Sequence, residues 1–335
     1  MNDELRGQIQ KMLEEAAREL RGLEFSSFVV GSILPAKIEA EEELLWERNG
    51  IARSARSTKQ KINRLIGSRL EKKLKKRVSR EEPDVLLLFD FNKNRVSVSA
   101  NPLFVYGRYT KLSRGMPQNK MPNYYESSIE EIVGKVLCAQ ARGESFKLHG
   151  CGREDIDARM LGEGRPFIIE ITNPQRRNID LAPAAREIHL ASRGEVEVFG
   201  LRSARAWEVA MLKNARPDKT YRMKVIADKK ITKKDLSRIE ALSGAVIRQR
   251  TPTRVAHRRA DRVRKRKIKE IRARPLGARE FELEITTSAG TYVKEFVSGD
   301  DGRTKPSVSE VLGCRARCAE LDVVGVRHGF LSDFW

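Results

Sequence analysis

Two aspartates in a glycine-rich stretch are the residues of this sequence best suited to chemistry. HGCGREDIDARMLGEGRPF, residues 149–167, contains four glycines, four acidic residues and three arginines. If the segment is extended, Asp155 and Asp157 point in similar directions, because side chains alternate along an extended backbone. One aspartate beside a cation suits nucleophilic or general-base chemistry, whereas two could hold Mg²⁺ for phosphoryl chemistry. A solvated loop without chemistry is the alternative.

Apolar segments on both sides of this stretch would fix its position. SFKLHGC (145–151) and PFIIEIT (166–172) have the composition of strands, and a helix is predicted before them at about residues 127–142. A loop held between two strands is a scaffolded position, unlike a free tip, and this favours the functional interpretation.

The net charge predicts a polyanionic partner. The 335 residues include 66 Lys and Arg against 46 Asp and Glu, a formal net charge of +20. This balance favours nucleic acid first and a membrane surface second. No apolar run approaches the length of a transmembrane helix, and the N-terminal MNDELRGQIQKMLEEAAREL is mixed in charge, unlike a signal peptide. We therefore predict a cytoplasmic protein.

A basic segment in the C-terminal half is predicted to meet phosphates. Between Arg248 and Arg274 there are thirteen Lys and Arg and only two acidic residues. The segment is interpreted as two strands whose polar side faces a nucleic-acid backbone, with a solvated basic face as the alternative. Four apolar residues would anchor it: Val255, Val263, Ile268 and Ile271.

The cysteines and histidines form no metal motif. No pair has CxxC spacing, the one CxxxC has no second pair nearby, and no HExxH occurs. We expect reduced thiols and no metal. The residues concerned are Cys138, Cys151, Cys314 and Cys318, and His149, His189, His257 and His328.

Composition divides the chain into two units. Residues 1–112 are predicted to form a compact α+β unit, SRGMPQNKMPN (113–123) a linker because it is rich in Pro, Gly and Asn, and residues 124–335 the second unit. The elements predicted in the first unit are helices at 3–20 and 38–50, the latter stopped by Gly50, a strand at 25–34, a basic-faced helix through 62–74 and a hairpin at 84–100.

The second unit is predicted to alternate helices and strands. FELEITTSAGTYVKEFV (281–297) contains a strand, a glycine turn and another apolar segment, and CAELDVVGVRHG (318–329) is a closing strand. Helices are predicted near 182–192 and 203–213, and a further strand at 219–228.

Four motifs in order resemble those of pseudouridine synthases. GREDIDARMLG (152–162) resembles their G-R-x-D signature, and KTYRMKV (219–225) resembles their motif with a tyrosine on a strand after a basic residue. AGTYVKEFV (289–297) resembles G-T-Y-x-[RK], and CAELDVVGV (318–326) resembles the last core motif. The strings GREDIDARMLGEGRPF, RTPTRVAHRRAD and GDDGRTKPSVSEVLG are similar to the archaeal family that makes pseudouridines 54 and 55 in tRNA.

This resemblance implies the fold class and the partner. The fold would be α+β, with an N-terminal THUMP-containing RNA-binding domain before a pseudouridine synthase catalytic domain whose central, mainly antiparallel sheet is flanked by helices. The partner would be tRNA. Many relatives carry paired CxxC motifs, read as a zinc ribbon, ahead of the THUMP domain. This chain has no cysteine before Cys138, which again predicts no metal.

The resemblance also implies roles for five residues. Asp155 fills the catalytic position of G-R-x-D, and Tyr221 is the tyrosine that stacks on the extruded base and could transfer a proton at C5. Lys294 is the cation beside Asp155, and Tyr292 contacts substrate on the same face if the segment is extended. Leu321 packs beneath the base or is a plain core leucine. No cofactor is implied, because the reaction is an isomerisation.

Two details of the implied site concern neighbouring groups. Asp157 would be a structural neighbour of Asp155, hydrogen-bonded within the loop. Many members of the superfamily have arginine where this chain has Lys294. Lysine is a point charge without the bidentate fork of arginine, so the ion pair would be looser.

Two other classes of function are weighed against this one. The first is a THUMP-type tRNA-modifying enzyme of another kind, a methyltransferase or a thiolase. TNPQ (172–175) matches a DPPY-like methyltransferase motif poorly, and no SGG-type phosphate loop occurs. The second is an RNA-binding protein without catalysis.

Overall fold

A computed structural model describes residues 3–49 and 57–327 of the protein. The predicted helix end at Gly50, His328 and the final residues 328–329 of the predicted closing strand lie outside these ranges. No helix in the described ranges combines the length and the apolar character needed to cross a membrane.

The N-terminal part folds as helices packed on a four-stranded sheet. Strand order is β2-β1-β3-β4; β1 is parallel to β2 and β3, and β3 and β4 form the predicted antiparallel hairpin. Helices α1 and α3 pack against this sheet and against each other. The elements are α1 (Asp3–Glu19), β1 (Ser27–Ile33), α2 (Ala36–Asn49), α3 (Thr58–Leu74), β2 (Arg77–Val78), β3 (Val85–Asp90) and β4 (Arg95–Ala100).

The sequence of α3 determines which of its faces packs against the core. Ile62, Ile66 and Leu70 recur every four residues and are at most 3% exposed, so they form the stripe that faces the core. Ser57 caps the helix by accepting a hydrogen bond from the Gln60 N–H. All six Lys and Arg of the helix are exposed, which confirms the predicted basic face.

The rest of the described chain forms one large sheet with helices on it. The strands are β5 (Leu103–Lys111), β6 (Ser145–Gly150), β7 (Arg159–Thr172), β8 (Val196–Ala204), β9 (Asp218–Ala227), β10 (Val246–Arg250), β11 (Val263–Pro275), β12 (Glu280–Thr287), β13 (Thr304–Lys305) and β14 (Ala316–Arg327). The helices are α4 (Ile129–Ala141), α5 (Leu181–Ala191), α6 (Ala206–Asn214), α7 (Lys233–Glu240), α8 (Val293–Ser298) and α9 (Val308–Leu312), with a 3-10 helix at Thr253–Arg258.

Antiparallel pairing dominates this sheet, as predicted. Its order is β13-β10-β11-β12-β9-β14-β7-β5-β8, with β6 also paired to β7. Within the described residues, β14 and β7 form its one parallel pair. Strand β9 pairs with β12 on one side and β14 on the other, so its middle residues lie deep within the sheet.

Two apolar cores attach the helices to the sheet. One joins α4 and α5 to β7, and the other joins α7, α8 and α9 to β9 and β12. Tyr221, in the middle of β9, packs against both cores. The two helical layers therefore meet at the position that the sequence identifies as the stacking tyrosine.

The boundary between the two sheets differs from the predicted one. Strand β5 hydrogen-bonds to β7 and β8, so residues 103–111 lie in the large sheet although they were assigned to the 1–112 unit. Residues 113–123, predicted as a linker, follow this strand and contact the large sheet at several points. Composition misplaced the boundary because turn-forming residues are typical both of a flexible linker and of an irregular segment that side-chain hydrogen bonds hold in place.

Two local predictions also need correction. Val263 does not anchor the basic segment, since it is 54% exposed at the start of β11, whereas Val255, Ile268 and Ile271 are buried as predicted. The apolar segment after Gly290 is not extended but forms helix α8, because Val293, Phe296 and Val297 have helical spacing and are buried. Tyr292 and Lys294 therefore do not share a strand face.

Candidate active site

The acidic loop occupies residues 151–158, between β6 and β7. It is shorter than the predicted stretch because residues 159–165 already belong to β7. The Ala158 N–H donates to the Asp155 carbonyl over 3.0 Å, which closes a tight turn at the aspartate. Gly162 has a φ of 61°, and a Cβ there would lie 2.0 Å from the Val324 carbonyl. Glycine is therefore required for β7 to approach β14.

A cleft of about 390 Å³ opens beside this loop. The structure brings all five predicted site residues together around it, although they come from the loop, β9, the α8 region and β14. They are Asp155, Tyr221, Tyr292, Lys294 and Leu321.

Asp155 lies close to two cations. Its Oδ2 is 3.3 Å from Lys294 Nζ and 3.4 Å from Arg254 Nη2. Its side chain is 36% exposed, so solvent and a substrate can both reach the carboxylate. Two positive charges at this distance hold and orient the carboxylate that nucleophilic or base chemistry would use.

Lys294 is shared between the two aspartates of the loop. Its Nζ donates to Asp157 over 2.7 and 2.8 Å, which is shorter than its distance to Asp155. Burial lowers the pKa of Lys294, but the hydrogen bond to Asp157 and the charges of both aspartates outweigh burial and raise that pKa. Burial raises the pKa of Asp157, but the hydrogen bond and charge of Lys294, a hydrogen bond from its own backbone and the charge of Arg254 together outweigh burial and lower it. Asp157 therefore bonds within its own loop and also contacts α8 through Lys294.

Tyr221 lies under the cleft with its ring between the two cores. It stands opposite Ile285 of β12 and Val323 of β14 in the sheet register. Burial raises the pKa of its hydroxyl to about 12, so the phenol stays protonated at neutral pH. The residue can therefore offer an aromatic face and a hydroxyl donor to a group in the cleft.

Tyr292 and Leu321 are fixed by their main chains. Gln249 binds both backbone groups of Tyr292, accepting from its N–H over 3.0 Å and donating to its carbonyl over 2.9 Å. The Tyr292 hydroxyl accepts from Arg259 over 2.9 Å. Leu321 is 5% exposed and belongs to the core around α8, so it lines the cleft and packs as a core leucine as well.

A buried polar network beneath the loop was missed by the sequence analysis. Glu154 and Arg165 form an ion pair of 2.8 Å with both side chains 1% exposed. The Tyr109 hydroxyl lies 2.9 Å from both oxygens of Glu154, and Gln118 donates to that hydroxyl over 2.8 Å. Burial raises the pKa of Tyr109 well above its ordinary value, and Glu154 adds to the effect. The position of Glu154 next to Asp155 was the available signal.

The predicted linker holds the loop from the other side. Gln118 donates to the Gly152 carbonyl over 3.0 Å. Arg114 donates to the carbonyls of Asp157 and Leu321 over 3.0 and 2.6 Å and pairs with Asp322 at 2.7 Å. Arg114 thereby connects two walls of the cleft, the loop and β14.

The cleft is strongly basic. Ten Lys and Arg line it against two acidic residues, Glu154 and Asp155. Lys219 is the most perturbed of these cations, because burial and then the charge of Arg165 lower its pKa to about 8. Such a lining suits a phosphate-bearing substrate. The ten are Arg153, Arg165, Lys213, Arg216, Lys219, Arg254, Arg259, Arg264, Arg266 and Lys294.

Arg254 was not identified as a site residue. Its basic surroundings predict a strand facing phosphates, but it lies on the 3-10 helix between β10 and β11 and points into the cleft. Its Nε donates to Glu295 over 2.6 Å. Among residues 3–49 and 57–327, no group of three or more His, Cys, Asp or Glu side chains is placed to hold a metal ion.

Comparison with known proteins covers both parts of the chain. The family model "Pus10, C-terminal" matches residues 104–327, and "Pus10 THUMP domain, archaeal" matches residues 12–90. A tRNA pseudouridine synthase Pus10 of Korarchaeum cryptofilum is 40% identical over 341 residues, covering 95% of this chain and 90% of the relative. That of Pyrococcus furiosus is 38% identical over 319 residues, covering 95% and 81%. The solved structure "Crystal Structure of a Cbf5-Nop10-Gar1 Complex" covers 65% of this chain and 47% of its own, at 16% identity and a TM-score of 0.38 too low to carry an argument.

Proposed function

The chain belongs to the Pus10 family of tRNA pseudouridine synthases, and from this premise we propose that it converts uridines 54 and 55 in the T-arm loop of tRNA to pseudouridine. The enzyme is an isomerase: the N1–C1′ glycosidic bond breaks, the base turns, and a C5–C1′ bond forms. No electron or group donor is consumed, so we propose that no cofactor takes part. The choice of the two uridines rests on the resemblance of GREDIDARMLGEGRPF and RTPTRVAHRRAD to that archaeal family.

Asp155 is the proposed catalytic residue. Its carboxylate either attacks C1′ or removes a proton from the sugar, and Lys294 directs it into the cleft. The hydroxyl of Tyr221 faces the turned base as a donor, since its pKa of about 12 keeps the proton on it. Tyr292 contacts the nucleotide from the rim, and Leu321 packs beneath the base.

One observation carries the proposal. An aspartate with two cations at 3.3 and 3.4 Å lies in the same basic cleft as a partly buried tyrosine whose ring can accept a base. A uridine must leave its stack to enter such a cleft, and extrusion costs a few kcal/mol. The cations of the cleft other than Arg165, Arg254 and Lys294 offset that cost by binding the flanking phosphates.

The N-terminal part is proposed to bind the same tRNA. Helix α3 presents six exposed Lys and Arg on the surface opposite its buried stripe. Residues 12–90 match the archaeal THUMP model. We propose that this basic face extends the RNA contact beyond the cleft, and that the protein acts on tRNA in the cytoplasm.

The decisive experiment is tritium release from unmodified tRNA transcripts that carry uridine labelled with tritium at carbon 5. Transcripts in which position 54, position 55 or both are replaced by cytidine assign the product to each site. We expect release from both single replacements and none from the double replacement. Asp155→Asn serves as the inactive control.

The other outcomes identify the rival functions. Tritium release that persists in the doubly replaced transcript would mean that the enzyme acts on other uridines. Methyl transfer or thiolation of the transcript without release would mean an enzyme of another class. Tight tRNA binding with no chemistry in any transcript would leave a binding protein.

A further inference from the structure

Each cation beside Asp155 is held by a second carboxylate. Lys294 is held by Asp157, and Arg254 is held by Glu295, whose Oε1 accepts from the Arg254 Nε over 2.6 Å. Asp157, Lys294, Asp155, Arg254 and Glu295 therefore form a chain of alternating charge with the catalytic carboxylate at its centre. The Asp157 end is exposed, and the Glu295 end is buried.

Glu295 is an unusual acid for its position. It is 5% exposed on α8, directly after Lys294, and its Oε2 is buried without a hydrogen-bond partner among the described residues. A buried carboxylate with one free oxygen is costly unless its other oxygen makes a strong contact. Within the described chain that contact is Arg254, so the pair is built around the arginine.

The backbone that carries Arg254 is also fixed. Val255, next to it on the 3-10 helix, is 4% exposed, and the Thr253 N–H donates to Asp300 over 3.0 Å. The Arg254 side chain is 42% exposed and would otherwise have many conformers. The contact with Glu295 selects the one in which Nη2 reaches Asp155.

We propose that Glu295 is a positioning residue that holds Arg254 as a second cation on the catalytic carboxylate. Glu295 touches neither the carboxylate nor the cleft, and it acts through Arg254. Arg254 contacts Asp155 from the 3-10 helix, whereas Lys294 contacts it from α8. The inference rests on the proposed catalytic role of Asp155.

Several other charged and titratable groups lie near Asp155. Lys294 of α8 and Asp157 of the loop are the near ions, while Tyr221 of β9 and Cys318 of β14 interact electrostatically with Asp155. Burial raises the pKa of Tyr221 to about 12 and that of Cys318 to about 11. Both groups stay neutral at acid pH, so changes in the acid limb of the pH–rate profile report on the charged groups.

The test is a double-mutant cycle on single-turnover rates with saturating tRNA, measured from acid to neutral pH. Arg254→Gln should slow the reaction about tenfold or more and move the acid limb of the pH–rate profile to higher pH, because a cation is removed. Glu295→Gln should do the same to a smaller extent. In the double variant, Glu295→Gln should add nothing to Arg254→Gln.

The direction of the shift separates positioning from a plain field effect. If Glu295 were only a nearby negative charge, Glu295→Gln would favour the ionised Asp155 and move the acid limb to lower pH, which overturns the proposal. Additive effects in the double variant would overturn it as well. Arg254→Lys should recover part of the rate, because charge is kept while the fork that reaches both carboxylates is absent.

Two controls complete the design. Arg238→Gln, an exposed arginine on α7, removes one positive charge away from the cleft and should leave the profile unchanged. If Arg254→Gln weakened tRNA binding but left the saturated rate unchanged, Arg254 would be a phosphate ligand and the proposal would fall. Activity in Asp155→Asn would defeat the proposed function itself, whereas an inactive Asp155→Asn with an unaltered Glu295→Gln profile would defeat only this inference.

Discussion

Lys294 Nζ lies 3.3 Å from Asp155 Oδ2, so this ion pair links a short helix to the acidic loop. The lysine is in the first turn of α8, and the aspartate follows β6. The helix and the loop are both too short to hold their conformation alone, so tertiary contacts must fix both. Gln249 of β10, which bonds to the backbone of Tyr292 at the start of α8, and the Glu154–Arg165 pair beneath the loop supply those contacts.

The two aspartates of the loop should differ sharply when neutralised. Asp155→Asn should lower the single-turnover rate by at least about 10³-fold with tRNA affinity kept within a few-fold, because the change removes the reacting group and preserves shape. Asp157→Asn should stay within about tenfold of wild type, since Lys294 then pairs with Asp155 alone. Rates and filter-binding affinities on the same transcript measure both. A dead Asp157→Asn with an active Asp155→Asn would reverse the assignment.

Removing the cation beside Asp155 should slow the reaction. Lys294→Met should lower the rate near neutral pH by about 100-fold, because the charge that orients the carboxylate is lost. Lys294→Arg should retain more activity, because the charge is kept although the geometry changes. Single-turnover pH–rate profiles distinguish the two. An unchanged rate and profile in Lys294→Met would mean that this lysine takes no part in the reaction.

The sequence predicted the site better than it predicted the elements that hold it. Asp155, Tyr221 and Lys294 were found because their residue types recur in ordered motifs, and these three do converge on one cleft. Arg254 was placed on a strand facing phosphates, because a run of basic residues carries no signal for a 3-10 turn. Its contact with Glu295 depends on how two distant segments pack, which spacing alone does not encode.

Boundaries failed for a related reason. Residues 113–123 have the composition of a linker, yet Arg114 and Gln118 bond to the acidic loop. Strand β5 was assigned to the first unit because it precedes that segment, and only its partners β7 and β8 reveal its sheet. Helix α8 spans six residues, too few for periodicity to separate a helix from an apolar strand.

The buried pair beneath the loop should be essential for stability. Glu154→Gln leaves the Arg165 guanidinium buried without its counter-charge, and we expect a loss of about 3–5 kcal/mol in the free energy of unfolding. The double variant Glu154→Leu/Arg165→Met should recover much of this loss, since no charge is then buried. Urea unfolding monitored by fluorescence and circular dichroism measures both.

A nearby surface pair provides the control for that experiment. Glu163 is 75% exposed and lies 3.9 Å from Arg108. Glu163→Gln should change the free energy of unfolding by no more than about 0.5 kcal/mol. If Glu154→Gln were equally mild, the buried pair would contribute little and the loop would owe its position to other contacts.

The basic face of α3 should contribute to tRNA affinity. Replacing Arg69, Lys72 and Lys73 by glutamine should weaken binding and make its log–log salt dependence shallower by roughly 0.7–0.9 for each phosphate that the variant no longer neutralises. The single-turnover rate at saturating tRNA should not change, because the cleft is intact. A matched removal of three charges at Lys230, Lys233 and Lys234, which are exposed beside and on α7, is the control. Equal decreases of affinity in the two triple variants would mean that net charge alone matters.

Lys219 should destabilise the folded protein at neutral pH, although it contributes a positive charge to the cleft. Burial, followed by the charge of Arg165, lowers its pKa from 10.5 to about 8, so folding disfavours the protonated lysine. Below pH 8 the native state carries this cost in full. Between pH 8 and 10.5 the unfolded chain holds a proton that the native state has released, so wild-type stability rises with pH across that window.

Lys219→Met should therefore be the more stable protein at pH 7, by on the order of 3 kcal/mol. The difference should shrink as pH rises from 8 towards 10.5 and then vanish, since both proteins are uncharged at this position above that window. Urea unfolding of the two proteins at several pH values measures the difference directly. Lys233→Met, at an exposed position on α7, should show no such trend.

Lys219→Met should also bind tRNA less tightly below pH 8, because the cleft loses a cation that substrate phosphates would meet. A variant less stable than wild type at pH 7 would show that the ammonium is a net structural contact, and a stability gain without weaker tRNA binding would remove Lys219 from the RNA-binding surface.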